Sequence, residues 1–181
     1  MKPKKILLGI SGGIAAYKAA SLTSYLSKEH IVKVIMTKHA TEFITPLTFQ
    51  TLSKQTVITD MSNPTEPDKI DHIYYPQNYD IMVIAPATAN ILAKAANGIA
   101  DDILSTSILA CTKPIVFVPS MNTEMYNNPI VQENIEKLKN KGCHFVTPYT
   151  GHLACGVHGK GKFPPLEHIT AKMNQVLNTI L

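Results

Sequence analysis

Five short, mostly apolar segments recur along this chain, separated by stretches long enough for helices, and this alternation constrains the fold most. Such segments are typical of parallel strands, because a strand covered on both faces needs few polar residues. Strands that alternate with helices predict an α/β protein. We therefore expect a three-layer sandwich in which helices flank a Rossmann-like parallel sheet. The predicted strands are residues 5–10, 31–37, 80–85, 114–118 and 143–147.

The stretches between these segments carry the signals of helices. The first helix, predicted at residues 14–28, places its apolar residues at spacings of three and four. Thr88 is a plausible N-cap for a helix that ends before Gly98, and Asn128 with Pro129 predicts the start of another. Further helices are predicted to begin near residues 45, 101 and 165.

Length, composition and charge exclude several classes of protein. With 181 residues, 45% of them hydrophobic, we expect residues 1–181 to form one domain with a sizeable core. No run of about eighteen apolar residues occurs, so we expect no membrane span. The net charge of +4 comes from dispersed lysines, which argues against a nucleic acid partner. Three cysteines without metal-ligand spacing or an export signal predict reduced thiols, no metal and a cytoplasmic location.

Polar and glycine-rich segments follow four of the predicted strands. They are residues 11–14, Thr37, residues 85–90 and residues 119–126. In open α/β sheets, the carboxyl ends of the strands meet at one edge, where ligands bind. These four segments therefore predict a binding site at one edge of the sheet.

The turn at residues 11–13, Ser-Gly-Gly, is neither a Walker A sequence nor a G-x-G-x-x-G fingerprint. Its N–H groups would point out of a helix N-terminus, which favours an anion such as a phosphate. A plain tight turn explains the two glycines equally well. Thr37 could donate its hydroxyl to the same phosphate or cap a helix. The residues alone leave these alternatives open.

The segment at residues 119–126, PSMNTEMY, offers one amide side chain, two thioethers and a phenol. Glu124 is its only strong acid or base. On spacing alone, Met121 and Met125 would fill the core beneath a strand-to-helix loop. The segment also resembles the Pro-x-Met-Asn-x-x-Met-Trp signature of the flavin-dependent cysteine decarboxylases, with Tyr126 in place of Trp.

The resemblance to this family extends nearly end to end, through five motifs in the family's order. Besides residues 119–126, they are residues 9–18, 71–73, 85–90 and 153–156. The resemblance implies FMN as the cofactor and decarboxylation of 4'-phosphopantothenoylcysteine to 4'-phosphopantetheine in coenzyme A biosynthesis. It also implies a homo-trimer or a trimer-based dodecamer, with sites between neighbouring subunits. No companion synthetase domain is recognisable, so a stand-alone decarboxylase is expected.

The resemblance also assigns roles to individual residues. His72, Asn122 and Cys155 are the implied catalytic residues, although a lone histidine before an apolar residue is usually structural. Met121, Met125 and Ala154 are implied to bind the substrate. The residues implied to bind FMN are Ser11, Gly12, Gly13, Ile14, Thr37, Ala87, Thr88, Asn90 and Ser105.

The glycine-rich segment at residues 151–161 holds four glycines and is predicted to be a mobile flap. Cys155 lies within it, whereas Cys111 and Cys143 fall where a helix stripe and a strand are expected. The family's acid after Cys-Gly is replaced by Val157, which puts the contacts of the flap in doubt.

Three other functions stay open. A lantibiotic-type peptidyl-cysteine decarboxylase shares the signature, but Cys155 in the flap argues against it. A flavin prenyltransferase-like relative without decarboxylase activity is disfavoured by His72 and Asn122. A non-catalytic nucleotide-binding module is the alternative outside the family.

Overall fold

A five-stranded parallel sheet forms the centre of the molecule. The computed structural model describes residues 2–154, 156 and 158–179. The sheet order is β2-β1-β3-β4-β5. Apolar residues dominate the three central strands, as expected for strands covered on both faces. The strands are β1 (Lys5–Ile10), β2 (Ile31–Met36), β3 (Ile81–Ala87), β4 (Ile115–Pro119) and β5 (His144–Phe145).

Helices connect and cover the strands, and those that follow Thr88 and Asn128 begin at the predicted caps. The Thr88 hydroxyl accepts from the backbone N–H of Ile91, and Asp102 starts the next helix with a capping box. A 3-10 helix, Lys38–Glu42, follows β2. The α-helices are α1 (Ala16–Leu26), α2 (Pro46–Ser53), α3 (Asp71–Asn78), α4 (Ala89–Asn97), α5 (Ile103–Ala110), α6 (Thr123–Asn127), α7 (Pro129–Asn140) and α8 (Leu166–Thr179).

Two hydrophobic cores lie on opposite faces of the sheet. Within β1, Ile6 and Leu8 face the core covered by α1, α2 and α8. Leu7 faces the opposite core, covered by α3, α4, α5 and α7. Alternate residues of one strand thus enter two cores, because successive side chains point to opposite faces. The predicted three-layer α/β sandwich is confirmed.

Two segments near the predicted site differ from the expectation. The glycine-rich segment forms a two-stranded antiparallel ribbon of β6 (Tyr149–His152) and β7 (His158–Lys162). Residues 119–126, expected as a loop, include the short helix α6.

The fifth strand is predicted at residues 143–147, but it spans only two residues in the structure. Within the described residues, no helix is long and apolar enough to cross a membrane.

Candidate active site

The candidate site lies where the chain connections run outward in opposite directions from two adjacent strands, β1 and β3. Such a switch point leaves a crevice at the carboxyl ends of the strands. Ser11, only 2% exposed, joins the two strand ends. Its hydroxyl donates to the carbonyl oxygen of Pro86 (2.8 Å) and accepts from the backbone N–H of Thr88 (3.1 Å). The floor of the crevice is therefore held by buried hydrogen bonds.

A cavity of about 1060 Å³ opens at this edge. Its volume lies slightly above the usual range for cofactor and small-molecule sites, about 300–1,000 Å³. The structure brings most of the predicted site residues together in its wall. Those implied to bind the cofactor are Ser11, Gly12, Gly13, Ile14, Thr37, Thr88 and Asn90, and those implied to act on the substrate are Met121, Asn122, Met125 and Ala154.

Three predicted site residues are outside the wall of this cavity. Ala87 is fully buried in β3. Ser105 is 2% exposed, and its hydroxyl accepts from the backbone N–H of Asp102 in the capping box of α5. His72 is half-buried in the first turn of α3. The prediction for Cys155 falls outside the described residues.

The turn before α1 offers donors for an anion. Within the described part of the chain, the backbone N–H groups of Gly12, Gly13 and Ile14 donate no hydrogen bond. Helix α1 has no side-chain cap and no acidic residue in its first turn, so the positive end of its dipole is not neutralised. These features suit a phosphate group at the cavity wall.

Side chains beside this turn restrict it further. A Cβ at Gly12 would collide with the ring of His39, so only glycine allows this close approach. The Thr37 hydroxyl accepts from the backbone N–H of Ala40 (3.2 Å) and caps the 3-10 helix. Thr37 therefore has the capping role that the sequence left open, while it also lines the cavity. Its hydroxyl hydrogen can still be donated to a ligand.

Asn122 occupies a defined position in the wall. Its side-chain Oδ1 accepts from the backbone N–H groups of Glu124 (2.8 Å) and Met125 (3.4 Å), so it is the N-cap of α6. The backbone N–H of Met121 donates to the carbonyl oxygen of Gly161 in β7 (3.0 Å). The signature segment is therefore held from one side by its own cap and from the other by the ribbon.

The cavity wall also contains charged residues that motif reasoning did not assign to the site. Lys94 is paired with Asp101 (2.6 Å) and Asp102 (2.7 Å). Lys18 and Lys162 line the cavity as well. Burial, and secondly the charge of Lys162, lowers the pKa of Lys18. Lys18 ends one of the five motifs, but its spacing carried no sign that its side chain would reach the cavity.

A buried polar network includes Asp71, the residue that precedes His72 in the sequence. Lys33 is 2% exposed, and its ammonium donates to the hydroxyls of Thr56 (2.6 Å) and Thr65 (3.3 Å). The carboxylate of Asp71, 4% exposed, accepts from the backbone N–H (2.8 Å) and the hydroxyl (3.0 Å) of Thr65. These bonds fix the chain where α3 begins and so orient its first turn.

Comparison with known proteins identifies the family. A family model described as Flavoprotein matches residues 1–178. The chain belongs to the flavoprotein family. The probable phosphopantothenoylcysteine decarboxylase of Streptococcus mutans is 45% identical over 177 residues, which are 96% of this chain and 99% of that relative. The coenzyme A biosynthesis bifunctional protein CoaBC of Bacillus subtilis is 48% identical over 167 residues, which are 92% of this chain.

The chain spans only 41% of the length of the Bacillus subtilis relative. Solved structures resemble this chain over nearly its whole length. A PPC decarboxylase variant complexed with pantothenoylaminoethenethiol has a TM-score of 0.84 at 30% identity, covering 97% of this chain and 98% of that chain. The peptidyl-cysteine decarboxylase EpiD has a TM-score of 0.82 at 25% identity, covering 97% and 99%. The resemblance predicted from the five motifs is confirmed.

Proposed function

We propose that this flavoprotein catalyses the FMN-dependent decarboxylation of 4'-phosphopantothenoylcysteine to 4'-phosphopantetheine, a step of coenzyme A biosynthesis. The observation that carries the proposal is the cavity itself, which is lined both by the signature residue Asn122 and by a turn whose backbone N–H groups donate no hydrogen bond within the described residues. The 45% identity to a probable phosphopantothenoylcysteine decarboxylase of nearly the same length supports the choice of substrate.

The residues present suit FMN. The N–H groups of Gly12, Gly13 and Ile14 would hold its phosphate, with the hydroxyl of Thr37 as a further donor. Thr88 and Asn90, at the start of α4, would contact the rest of the cofactor. Ala87 and Ser105, which the resemblance also implies, would support the site from behind its wall, since both are buried. When bound, FMN supplies a two-electron acceptor for the CH2–SH group and later returns those electrons.

Loss of carbon dioxide becomes feasible once the thiol carbon is oxidised to a thioaldehyde, because its C=S group then accepts the electron pair of the broken C–C bond. The protein must hold the carboxylate and the thiol in place for this step. We assign the carboxylate to the amide N–H of Asn122. An amide N–H binds the carboxylate without neutralising its charge. An arginine would neutralise that charge and so stabilise the ground state, which would oppose the loss of carbon dioxide. Met121 and Met125 would form an apolar wall beside it.

His72 is assigned to the thiol proton, since an imidazole nitrogen can act as the general base for a nearby thiol. Its position outside the cavity wall of its own chain is compatible with a role in the site of a neighbouring subunit. We therefore propose a homo-trimer, alone or within a dodecamer, in which α3 of one subunit completes the cavity of the next. The network of Lys33, Thr65 and Asp71 would hold that histidine in place.

Cys155 is assigned to the final step, in which the ene-thiol product of decarboxylation must gain a proton and a hydride equivalent. The Cys155 thiol would donate the proton, and bound FMN in its reduced form would supply the hydride equivalent. Burial raises the pKa of the Cys111 and Cys143 thiols, which makes them poor candidates for this role. Cys111 and Cys143 are free cysteines in the described part of the chain. We propose a cytoplasmic location, where thiols stay reduced.

A peptidyl-cysteine decarboxylase is the second candidate. The structural likeness to EpiD favours it, at a TM-score of 0.82. Both reactions share the oxidative decarboxylation and differ in whether the product is reduced again. The two candidates therefore differ in the substrate accepted and in the last step.

Two measurements test the proposal. Purified protein should be yellow, or become so with added FMN, and denaturation should release FMN. Mixed with 4'-phosphopantothenoylcysteine under anaerobic conditions, the loaded protein should show a rapid, transient loss of its yellow absorbance, and a peptide ending in cysteine should reduce the flavin far more slowly. The reverse preference would favour the peptidyl-cysteine class, and protein that takes up no flavin would contradict both.

A further inference from the structure

Two lysines from distant parts of the chain line the same cavity. Lys18 lies in the first turn of α1, and Lys162 is the last residue of β7. Both side chains are half-buried. Among the ion pairs of the described residues, neither lysine has a carboxylate partner, in contrast to Lys94 with its two aspartates. The pair is a local surplus of positive charge facing the cavity.

Such a pair is electrostatically unfavourable in the unliganded protein. Burial and the charge of Lys162 lower the pKa of Lys18, so each effect opposes the charged ammonium. In a partly desolvated cavity the repulsion between two cations is weakly screened. An anion that contacts both ammonium groups would remove this cost, and a phosphate matches two cationic donors well.

This pair differs in chemistry from the anion-binding turn. That turn offers the backbone N–H groups of Gly12, Gly13 and Ile14. Lys162 instead belongs to the ribbon, and its neighbour Gly161 accepts from the backbone N–H of Met121 in the signature segment. Lys162 is therefore attached to the part of the wall assigned to the substrate, and Lys18, in the first turn of α1, lines the same cavity from the opposite part of the chain.

We propose that Lys18 and Lys162 form a second anion subsite, which binds the phosphate at the far end of the substrate from its cysteine. The inference rests on the proposed function. Under this proposal, the backbone N–H groups of the turn before α1 bind the phosphate of the cofactor, and the two lysines bind the phosphate of the substrate. It makes the lysine pair a determinant of specificity for phosphorylated substrates over cysteine-terminated ligands without a phosphate.

Substitution of each lysine by methionine tests the subsite, because methionine keeps most of the side-chain length and removes the charge. We expect Lys18→Met and Lys162→Met each to lower kcat/KM for 4'-phosphopantothenoylcysteine by about tenfold. The same variants should keep kcat/KM for unphosphorylated pantothenoylcysteine within about twofold of the wild type. Lys28→Met, which removes an exposed charge further along the chain, is the matched control and should change neither value.

A binding measurement removes the dependence on turnover. Calorimetric titration of the FMN-loaded protein should give weaker binding of 4'-phosphopantetheine, by about tenfold, in each lysine variant. Binding of pantetheine should be unchanged. Lys18→Arg should keep most of the preference for the phosphorylated ligand, since it preserves the charge.

Three results would overturn the inference. Equal losses on phosphorylated and unphosphorylated ligands would mean that the lysines only support the fold of the wall. Weaker retention of FMN with unchanged retention of riboflavin would assign the pair to the cofactor phosphate. A wild-type enzyme that does not distinguish the two substrates would show that no phosphate subsite exists. If wild-type protein decarboxylates neither substrate, the proposed function fails and the subsite fails with it.

Discussion

At the scale of single residues, Ser11 shows how the fold and the site depend on the same atoms. Its hydroxyl joins the ends of β1 and β3 through the carbonyl oxygen of Pro86 and the N–H of Thr88. Ser11→Ala should lower the free energy of unfolding by about 1–3 kcal/mol, because both backbone groups lose a buried partner. Chemical denaturation measures this. Ser21→Ala, on the exposed face of α1, should stay within about 0.5 kcal/mol of the wild type.

Asn122 can be tested without loss of its cap. Asp caps a helix as well as Asn does, so Asn122→Asp should keep α6 and the bound FMN. Its negative charge should repel the substrate carboxylate and slow flavin reduction by about a hundredfold or more. Stopped-flow absorbance measures the reduction. The same change at the α7 cap, Asn128→Asp, is the control, and an equal loss there would refute the role of Asn122.

Tyr79 predicts a pH dependence of stability. Burial, followed by weaker effects of Tyr74 and Glu66, raises the pKa of Tyr79 to about 12 in the folded protein. The unfolded phenol titrates near pH 10. The Tyr79 phenol therefore stays protonated to a higher pH in the folded state than in the unfolded state. Its contribution to the free energy of unfolding is fully present below about pH 10 and is lost as the pH rises towards 12.

The variant Tyr79→Phe has no such proton to lose. Between about pH 10 and 12 it should therefore lose about 1–2 kcal/mol less unfolding free energy than the wild type does. Urea denaturation at a series of pH values measures the slope. Tyr25→Phe, at a site where the side chain is 52% exposed, should follow the wild type. Parallel curves for Tyr79→Phe and wild type would show that Tyr79 contributes nothing.

At the scale of elements, the ribbon of β6 and β7 is joined to the signature segment by close backbone packing. Gly161 has a φ of 144°, and a Cβ there would collide with the carbonyl oxygen of Met121. Gly161→Ala should move the ribbon away from Met121 and lower the decarboxylation rate by about tenfold to a hundredfold, with FMN retained.

An exposed residue of the ribbon, Thr150 in β6, provides the control. Thr150→Ala removes an exposed side chain and should therefore keep the decarboxylation rate within about twofold of the wild type. If Gly161→Ala were equally active, the ribbon would not position the signature segment.

The elements differ in how well the sequence predicts them. The first four strands of the sheet, the caps at Thr88 and Asn128 and the helix start near residue 101 agree with the prediction, because burial on both faces and capping are local signals. The ribbon and α6 do not, because four glycines carry no periodicity and α6 is only five residues long. Their conformation depends on contacts between segments far apart in the chain, such as Met121 with Gly161.

At the scale of the whole molecule, the sheet topology explains why the motifs meet. Strand-end segments that are far apart in sequence line one cavity because β1 and β3 are neighbours in a parallel sheet. The rule that ligands bind at the carboxyl ends of the strands in open α/β sheets predicts from sequence that these segments meet. It could not predict that His72 lies outside the cavity wall of its own chain, or that Lys18 and Lys162 share the cavity, since both depend on tertiary packing.

The central claim is that the chain carries out both halves of the reaction, decarboxylation and the return of electrons to the product. Mass spectrometry of the product formed by FMN-loaded wild-type protein from 4'-phosphopantothenoylcysteine tests it most directly. We predict 4'-phosphopantetheine, lighter than the substrate by one carbon dioxide, with the flavin reoxidised at the end of turnover. An ene-thiol product, lighter by two further hydrogens and formed with reduced flavin, or the unchanged substrate, would contradict the claim.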